Sequence, residues 1–172
     1  MGDLEIIKKA IDGDDEAFIT IMKEHKDTLY RTALAFLKNE HDAIEAVQEI
    51  TYRAYKKIHT LKEPNYIKTW LTRIMMNYCQ DQIKKNKRIV IDERLSDSLV
   101  TNDRSQLEIT EALSTLSDAE QQLIHLKYFQ DVKIKDIAIL ENIPEGTVKS
   151  RLHKIMKTLR QYFNEKGEVD HV

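Results

Sequence analysis

Apolar residues recur early in the chain as Phe18, Ile21, Met22, Leu29, Ala33, Phe36 and Leu37. That spacing of three and four is one face of an α-helix. Asn39 to His41 interrupt it, and a second stripe follows at Ile44, Val47, Thr51, Ala54 and Ile58. The segment His59 to Asn65 contains Pro64 and is predicted as a loop. A third stripe, Ile67, Trp70, Leu71, Ile74 and Tyr78, runs into a basic stretch that ends at Arg88. Trp70 is assigned to the core. Over Ile89 to Gln106 the period weakens, and the segment reads as a linker. Ile89-Val90-Ile91 resembles a strand but has no partner strand to pair with. Helical patterning resumes at Leu107 to Leu116, Asp118 to Phe129, Ile134 to Glu141 and Gly146 to Tyr162. Ser117 and Glu120 have the spacing of a capping box. The polar tail after Asn164 is predicted to fray. The expected fold is all-α.

Composition narrows the function classes. The 172 residues make room for one ordinary domain or two small ones. With 41% hydrophobic and 33% charged residues, the chain suits packed amphipathic helices rather than disorder. The lone Cys79 excludes an internal disulfide framework and a Cys-rich zinc module, and is read as a small buried residue. No apolar run reaches the roughly 18 residues of a membrane span, so no direct membrane insertion is expected. The start, Met1-Gly2-Asp3-Leu4-Glu5, lacks the apolar core of a signal peptide, and a cytoplasmic location is expected. The six histidines show no His-Glu-x-x-His spacing, and His25 and His41 are read as surface residues. The four glycines are isolated, so there is no phosphate loop, and no Ser/His/Asp set emerges. Neither an enzyme, a cofactor nor a metal is expected.

Net charge is −2 and the pI about 6.3, which argues against a purely electrostatic DNA binder. The average conceals a mosaic. Glu145 to Arg160 holds five basic residues (Lys149, Arg151, Lys154, Lys157, Arg160) against the single acid Glu145. Lys84, Lys85, Lys87 and Arg88 form a second basic run, while acids gather at Asp12 to Glu16 and Asp42 to Glu49. Separate surfaces for separate partners are implied. Ile134 to Arg160 reads as a short helix with Ile134, Ile137, Ala138 and Ile139 as its apolar residues, a break at Leu140 to Pro144, and a longer helix that carries the first basic run and buries Val148, Leu152, Ile155 and Leu159. Asn142 suits a left-handed helix end and Pro144 a helix start. The opposite face carries Ser150, His153, Lys154 and Lys157, flanked by Lys149. A helix-turn-helix places such a face in a major groove. A helical hairpin with a solvated basic face has the same pattern.

Gly146-Thr147-Val148-Lys149-Ser150-Arg151-Leu152 resembles the recognition helix of bacterial sigma factors of the extracytoplasmic-function (ECF) group. Ala112 to Ser117 and Leu126 to Phe129 resemble the start of that family's sigma-four domain, although Asp136 replaces its usual Glu. Asp42 to Glu49 resembles the sigma-two segment that docks on RNA polymerase, with departures at Ile44 and Ala46. Trp70-Leu71-Thr72-Arg73-Ile74 followed by Asn77 resembles a further sigma-two segment. The resemblance covers about residues 5–90 and 107–162. It implies a sigma-two-like domain at 1–90, a flexible linker at 91–106, a sigma-four-like helix-turn-helix domain at 107–165 and a polar tail at 166–172.

The resemblance also implies roles. Asp42, Glu45, Gln48 and Glu49 would meet core RNA polymerase at the clamp helices of its largest subunit, with the flap as a further contact. Arg73, Asn77, Gln80 and Lys84 form one polar stripe suited to a DNA strand. The preceding loop, Leu61 to Tyr66, would capture a flipped base of the minus-ten element, with Leu61 and Pro64 as apolar contacts and Lys62 and Asn65 as polar ones. Thr147, Lys149, Ser150, Arg151, His153, Lys154 and Lys157 would read the minus-thirty-five promoter DNA. An anti-sigma factor, usually membrane-anchored, would regulate the whole. Two other classes share parts of the pattern. One is a stand-alone helix-turn-helix repressor, and the other an adaptor that uses its acidic face alone.

Overall fold

The computed structural model describes residues 2–92 and 104–169. Its helices are α1 (Asp3–Ile11), α2 (Asp15–Leu37), α3 (Glu40–Lys57), α4 (Ile67–Asp92), α5 (Arg104–Ser114), α6 (Asp118–Ile124), α7 (Ile134–Glu141) and α8 (Glu145–Val169). Two single 3-10 turns, Ile58–Thr60 and Pro64–Tyr66, stand between α3 and α4. No strand occurs among the described residues. The chain divides into two compact units, Met1–Leu95 and Ser96–Val172. The predicted linker lies largely outside the described residues, but its ends do not. Ile89-Val90-Ile91 is the last turn of α4, and residues 104–106 already belong to α5.

In the first unit α2, α3 and α4 pack on one another and α1 packs on α2. The hydrophobic patterning did not single out α1. Gly13 turns the chain between α1 and α2 at φ 100°, a conformation a β-carbon disfavours. Asp14 then caps α2, its carboxylate accepting from the Ala17 N–H at 2.8 Å. At the far end of α2, Lys38 takes the left-handed conformation (φ 55°), and the Asn39 side chain caps α3 by accepting from the Asp42 N–H at 2.9 Å. The break predicted at Asn39 to His41 falls instead at Lys38 and Asn39, a C-cap followed directly by an N-cap, and Glu40 and His41 already belong to α3.

The second stripe is turned from its predicted position. α3 buries Ala43, Ala46, Ile50 and Ala54, whereas Ile44 is 52% exposed and Val47 and Thr51 are half-buried. Three of the four buried residues are alanines, small enough to let α2 and α4 approach closely. Trp70 packs half-buried against the core, and Leu71, Met75 and Cys79 are fully inside it. Burial raises the Cys79 thiol pKa to about 12, which keeps it protonated.

In the second unit the capping box is present. Ser117 Oγ accepts from the Glu120 N–H (3.3 Å), and Glu120 Oε2 accepts from the Ser117 N–H (2.9 Å). The helix predicted to run to Phe129 widens after Ile124 into a π turn, His125–Phe129. The buried His125 ring stacks on Phe129 with centroids 5.3 Å apart. Ile137 and Ala138 of α7 are buried, but Ile139 is 58% exposed instead of joining the apolar face. α8 continues through Val169, past the predicted fraying point. Its last turns pack on α5, where Tyr162 donates to Glu111 at 3.2 Å and Lys166 pairs with the same carboxylate. Among the described residues, no buried side-chain nitrogen or oxygen lacks a hydrogen-bond partner.

Candidate nucleic-acid interface

The turn between α7 and α8 sets the recognition face. Asn142 is left-handed (φ 52°, ψ 47°), and the Ile143 N–H reaches back to the Ala138 carbonyl at 3.0 Å. This closes the end of α7. The Pro144 carbonyl accepts from the Thr147 and Val148 N–H groups (3.0 and 3.2 Å), so Pro144 is the residue from which α8 starts. Val148, Leu152 and Ile155 are buried on one side of α8, and Leu159, predicted to join them, is half-buried. On the other side Ser150, His153, Lys154 and Lys157 are exposed at the centre of the face. Lys149 and Arg151 are exposed at its two edges, and Thr147 is half-buried. From Lys149 to Lys157 the helix rises about 12 Å, close to the width of a major groove. The central side chains and the edge cations thus occupy separate sectors of one exposed face.

The polar stripe on α4 is narrower than predicted. Asn77 and Lys84 are exposed and Arg73 is half-buried, but Gln80 is only 5% exposed. Gln80 continues the buried row Thr72 and Met76, one turn apart, rather than the outward stripe. The predicted loop has a similar exception. Leu61 is 8% exposed and belongs to the core, while Lys62 and Asn65 are exposed and Pro64 is half-buried. Neither Gln80 nor Leu61 faces outward for DNA.

The outward face of α3 brings Glu45 and Gln48 together at the surface, with Asp42 and Glu49 half-buried on its flank. Glu49 accepts from Arg53 Nε at 2.7 Å, and Arg53 lies over the Tyr78 ring at 5.0 Å. The same face carries exposed Ile44, Tyr52 and Tyr55, which the hydrophobic stripe did not assign to a surface. Their signal was present as apolar residues left over once Ala43, Ala46 and Ile50 are placed inside. At the start of α3, His41 Nδ1 lies 3.9 Å from both Asp42 and Glu45. Their ligand atoms fall within 4.8 Å of one another, on a first helical turn whose dipole opposes a cation.

Comparison with known proteins gives two family matches in chain order. Residues 21–89 match Sigma-70 region 2 and residues 106–159 match Sigma-70, region 4. The RNA polymerase sigma factor SigV of Bacillus subtilis is 32% identical over 146 residues, covering 83% of this chain and 88% of that protein. The ECF RNA polymerase sigma factor SigW of the same organism is 30% identical over 178 residues, covering 92% and 95%. Among solved structures, CnrH in complex with the cytosolic domain of CnrY superposes with a TM-score of 0.66 at 18% identity, covering 95% of this chain and 97% of that one. RpoE in complex with the anti-sigma factor NepR from Bartonella quintana gives 0.60 at 21% identity, covering 86% and 96%. At these identities the structural likeness speaks for the fold alone. With both regions matched in order and relatives aligned over most of their length, the chain belongs to the ECF sigma factors, the promoter-specificity subunits of bacterial RNA polymerase, and is not an enzyme.

Proposed function

We propose that each unit reads one promoter element while α3 holds the chain on polymerase. The outward face of α8 reads the minus-thirty-five element as duplex, with Ser150, His153, Lys154 and Lys157 toward bases and Lys149 and Arg151 toward phosphates. The stripe Arg73, Asn77 and Lys84, with Lys62, Pro64 and Asn65 of the preceding loop, holds the opened minus-ten strand. Glu45 and Gln48, flanked by Asp42 and Glu49, face the clamp helices of the largest subunit, and Ile44, Tyr52 and Tyr55 add apolar contact there. Opposed charge at such a contact sets orientation and on-rate more than affinity. CnrH was solved with the cytosolic domain of CnrY, and RpoE with NepR, which is described as an anti-sigma factor. A membrane-anchored anti-sigma factor that covers one or both DNA faces in the cytoplasm fits the same surfaces here.

The observation that carries this reading is the division of basic surface between two units of a chain whose net charge is −2. One short basic strip supports only weak, salt-sensitive binding, typically around 10⁻⁴–10⁻⁶ M. Tight binding needs both strips engaged at once. The free chain should therefore footprint poorly on promoter duplex. Adding core polymerase should give a sharp, asymmetric footprint with permanganate-reactive thymines in the minus-ten region. A strong palindromic footprint from the free chain, unaltered by polymerase, would reject this assignment in favour of a repressor.

A further inference from the structure

Helix α1 precedes the stretch matched to Sigma-70 region 2, which begins at residue 21. Its inner face is apolar. Ile7 and Ala10 are buried, and Ile6 and Ile11 pack half-buried against the core. α1 packs on α2 and also on both single turns, Ile58–Thr60 and Pro64–Tyr66. Those turns touch α3 and α4 as direct continuations of the chain. α1 reaches both from elsewhere in the sequence. Ile58, Leu61 and Ile67, the apolar anchors of the loop, share one buried cluster with Ile7 and Ala10. Lys62, Glu63 and Asn65 remain at the surface above that cluster.

The approach of α1 is itself constrained. The Gly13 turn and the Asp14 cap aim it back along α2. The Tyr55 hydroxyl donates to Asp15 at 2.9 Å, and its ring meets Phe18 edge-on at 5.3 Å. These contacts tie the start of α2 to the end of α3, just before the first single turn. A base taken out of the stack costs a few kcal/mol, and ordering a loose loop in the same step adds to that cost. A loop already packed from below avoids the addition, and close-packed interiors transmit displacement to their neighbours.

We propose that α1 is a positioning element for minus-ten base capture: Ile7 and Ala10 hold Ile58, Leu61 and Ile67 so that Lys62 and Asn65 meet the unstacked base as a preformed surface. The inference rests on the assignment of the Leu61–Tyr66 loop to base capture proposed above. Its test uses the full chain assembled with core polymerase on forked promoter oligonucleotides, the unpaired minus-ten strand carrying each of the four bases in turn. Ile7→Ala should reduce discrimination between the best and worst base by roughly fivefold or more, about the value of one well-placed contact. Helicity, affinity for core polymerase and minus-thirty-five duplex binding should stay within about twofold of the unaltered chain, less than 0.5 kcal/mol. Leu4→Ala, on the exposed side of the same helix, should leave discrimination unchanged. Lys62→Ala and Asn65→Ala report on the loop itself. If neither alters discrimination, the base-capture assignment fails and the proposal falls with it. If they reduce it while Ile7→Ala does not, only the positioning role is overturned. It is equally overturned if Ile7→Ala lowers core affinity and discrimination by the same factor, since α1 would then act through stability alone. Should Ile7→Ala not fold, Ile7→Val is read by the same criteria.

Discussion

Lys154 and Arg151 are both exposed cations on α8, yet their positions predict different losses. Lys154 stands at the centre of the outward face, one turn beyond Ser150, while Arg151 stands at its edge beside buried Leu152. A central lysine that reaches a base edge is worth on the order of 1–3 kcal/mol, about five- to 150-fold in affinity. Lys154→Ala should lose that much on the preferred minus-thirty-five sequence and much less on sequences altered at the base it reads. Arg151→Ala should weaken all sequences alike. Its mark should be a salt slope smaller by about 0.9, the release of one phosphate counterion. Exposed substitutions of this kind change stability by roughly 0.5 kcal/mol or less, so the fold is not the variable. The assay is equilibrium binding of the polymerase-bound chain to labelled promoters, between roughly 50 and 200 mM salt, with single-base changes across the minus-thirty-five element. Equal losses by Lys154→Ala on every sequence would refute the central assignment. Unchanged affinity and salt slope in both variants would remove this face from DNA altogether.

Burial lowers the His125 pKa from 6.5 to about 4, so the folded second unit keeps the ring neutral. The unfolded chain takes up a proton below pH 6.5 that the folded chain does not; this contribution is complete above that pH and lost as pH falls toward 4, roughly 3 kcal/mol at the limit. Thermal melts of the full chain should therefore steepen in pH dependence over that window, and His125→Gln should flatten them; an unaltered slope in the variant would disprove the assignment. Asn142→Ala, at φ 52°, should destabilise by about 1 kcal/mol, whereas Asn142→Gly should be neutral or stabilising in denaturant titrations. The reverse order would contradict a left-handed cap. On α3, Glu45→Lys combined with Tyr52→Ala should leave circular dichroism unchanged and weaken binding to core polymerase at least about tenfold, or 1.4 kcal/mol. Normal assembly would return this face to an ordinary solvated surface.

The helix-turn-helix was legible because α8 buries one side only. Val148, Leu152 and Ile155 all went inside as their spacing of four and three required, and the basic residues fell on the other side without ambiguity. The local chemistry of Asn142 and of the Ser117–Glu120 box was legible for the same reason, since each is decided within a few residues. α3 was harder. Periodicity counts large apolar residues, and on α3 the interior is lined by alanines while an isoleucine faces out. The π turn at His125–Phe129 could not be read from hydrophobic spacing, because the consecutive buried residues Leu123, Ile124, His125 and Leu126 are too short a run to reveal a change of period. α1 is short, and its two buried residues, Ile7 and Ala10, are too few to define a stripe.

The misreadings fall into two kinds with opposite physical meanings. Ile44, with Tyr52 and Tyr55, places apolar surface in water on a helix face that also carries Glu45 and Gln48. Apolar exposure gains nothing for the free chain, and local rules are expected to fail where a partner completes the surface. Leu61 and Gln80 err in the other direction, withdrawn from the DNA side into buried positions. Removing Leu61 from the proposed contacts leaves Lys62 and Asn65 exposed on the same loop. It makes the loop's footing part of the first unit's core, so Lys62 and Asn65 are presented by packing rather than by a free strand of chain. Under the proposed function, a loop held in that way can vary its exposed residues, and hence the base it prefers, without disturbing the cluster beneath. The same division holds on α8, where Val148, Leu152 and Ile155 fix the helix while Ser150, His153 and Lys154 are free to differ. Under the proposed function, promoter preference and stability are thereby carried by different side chains at both candidate DNA surfaces.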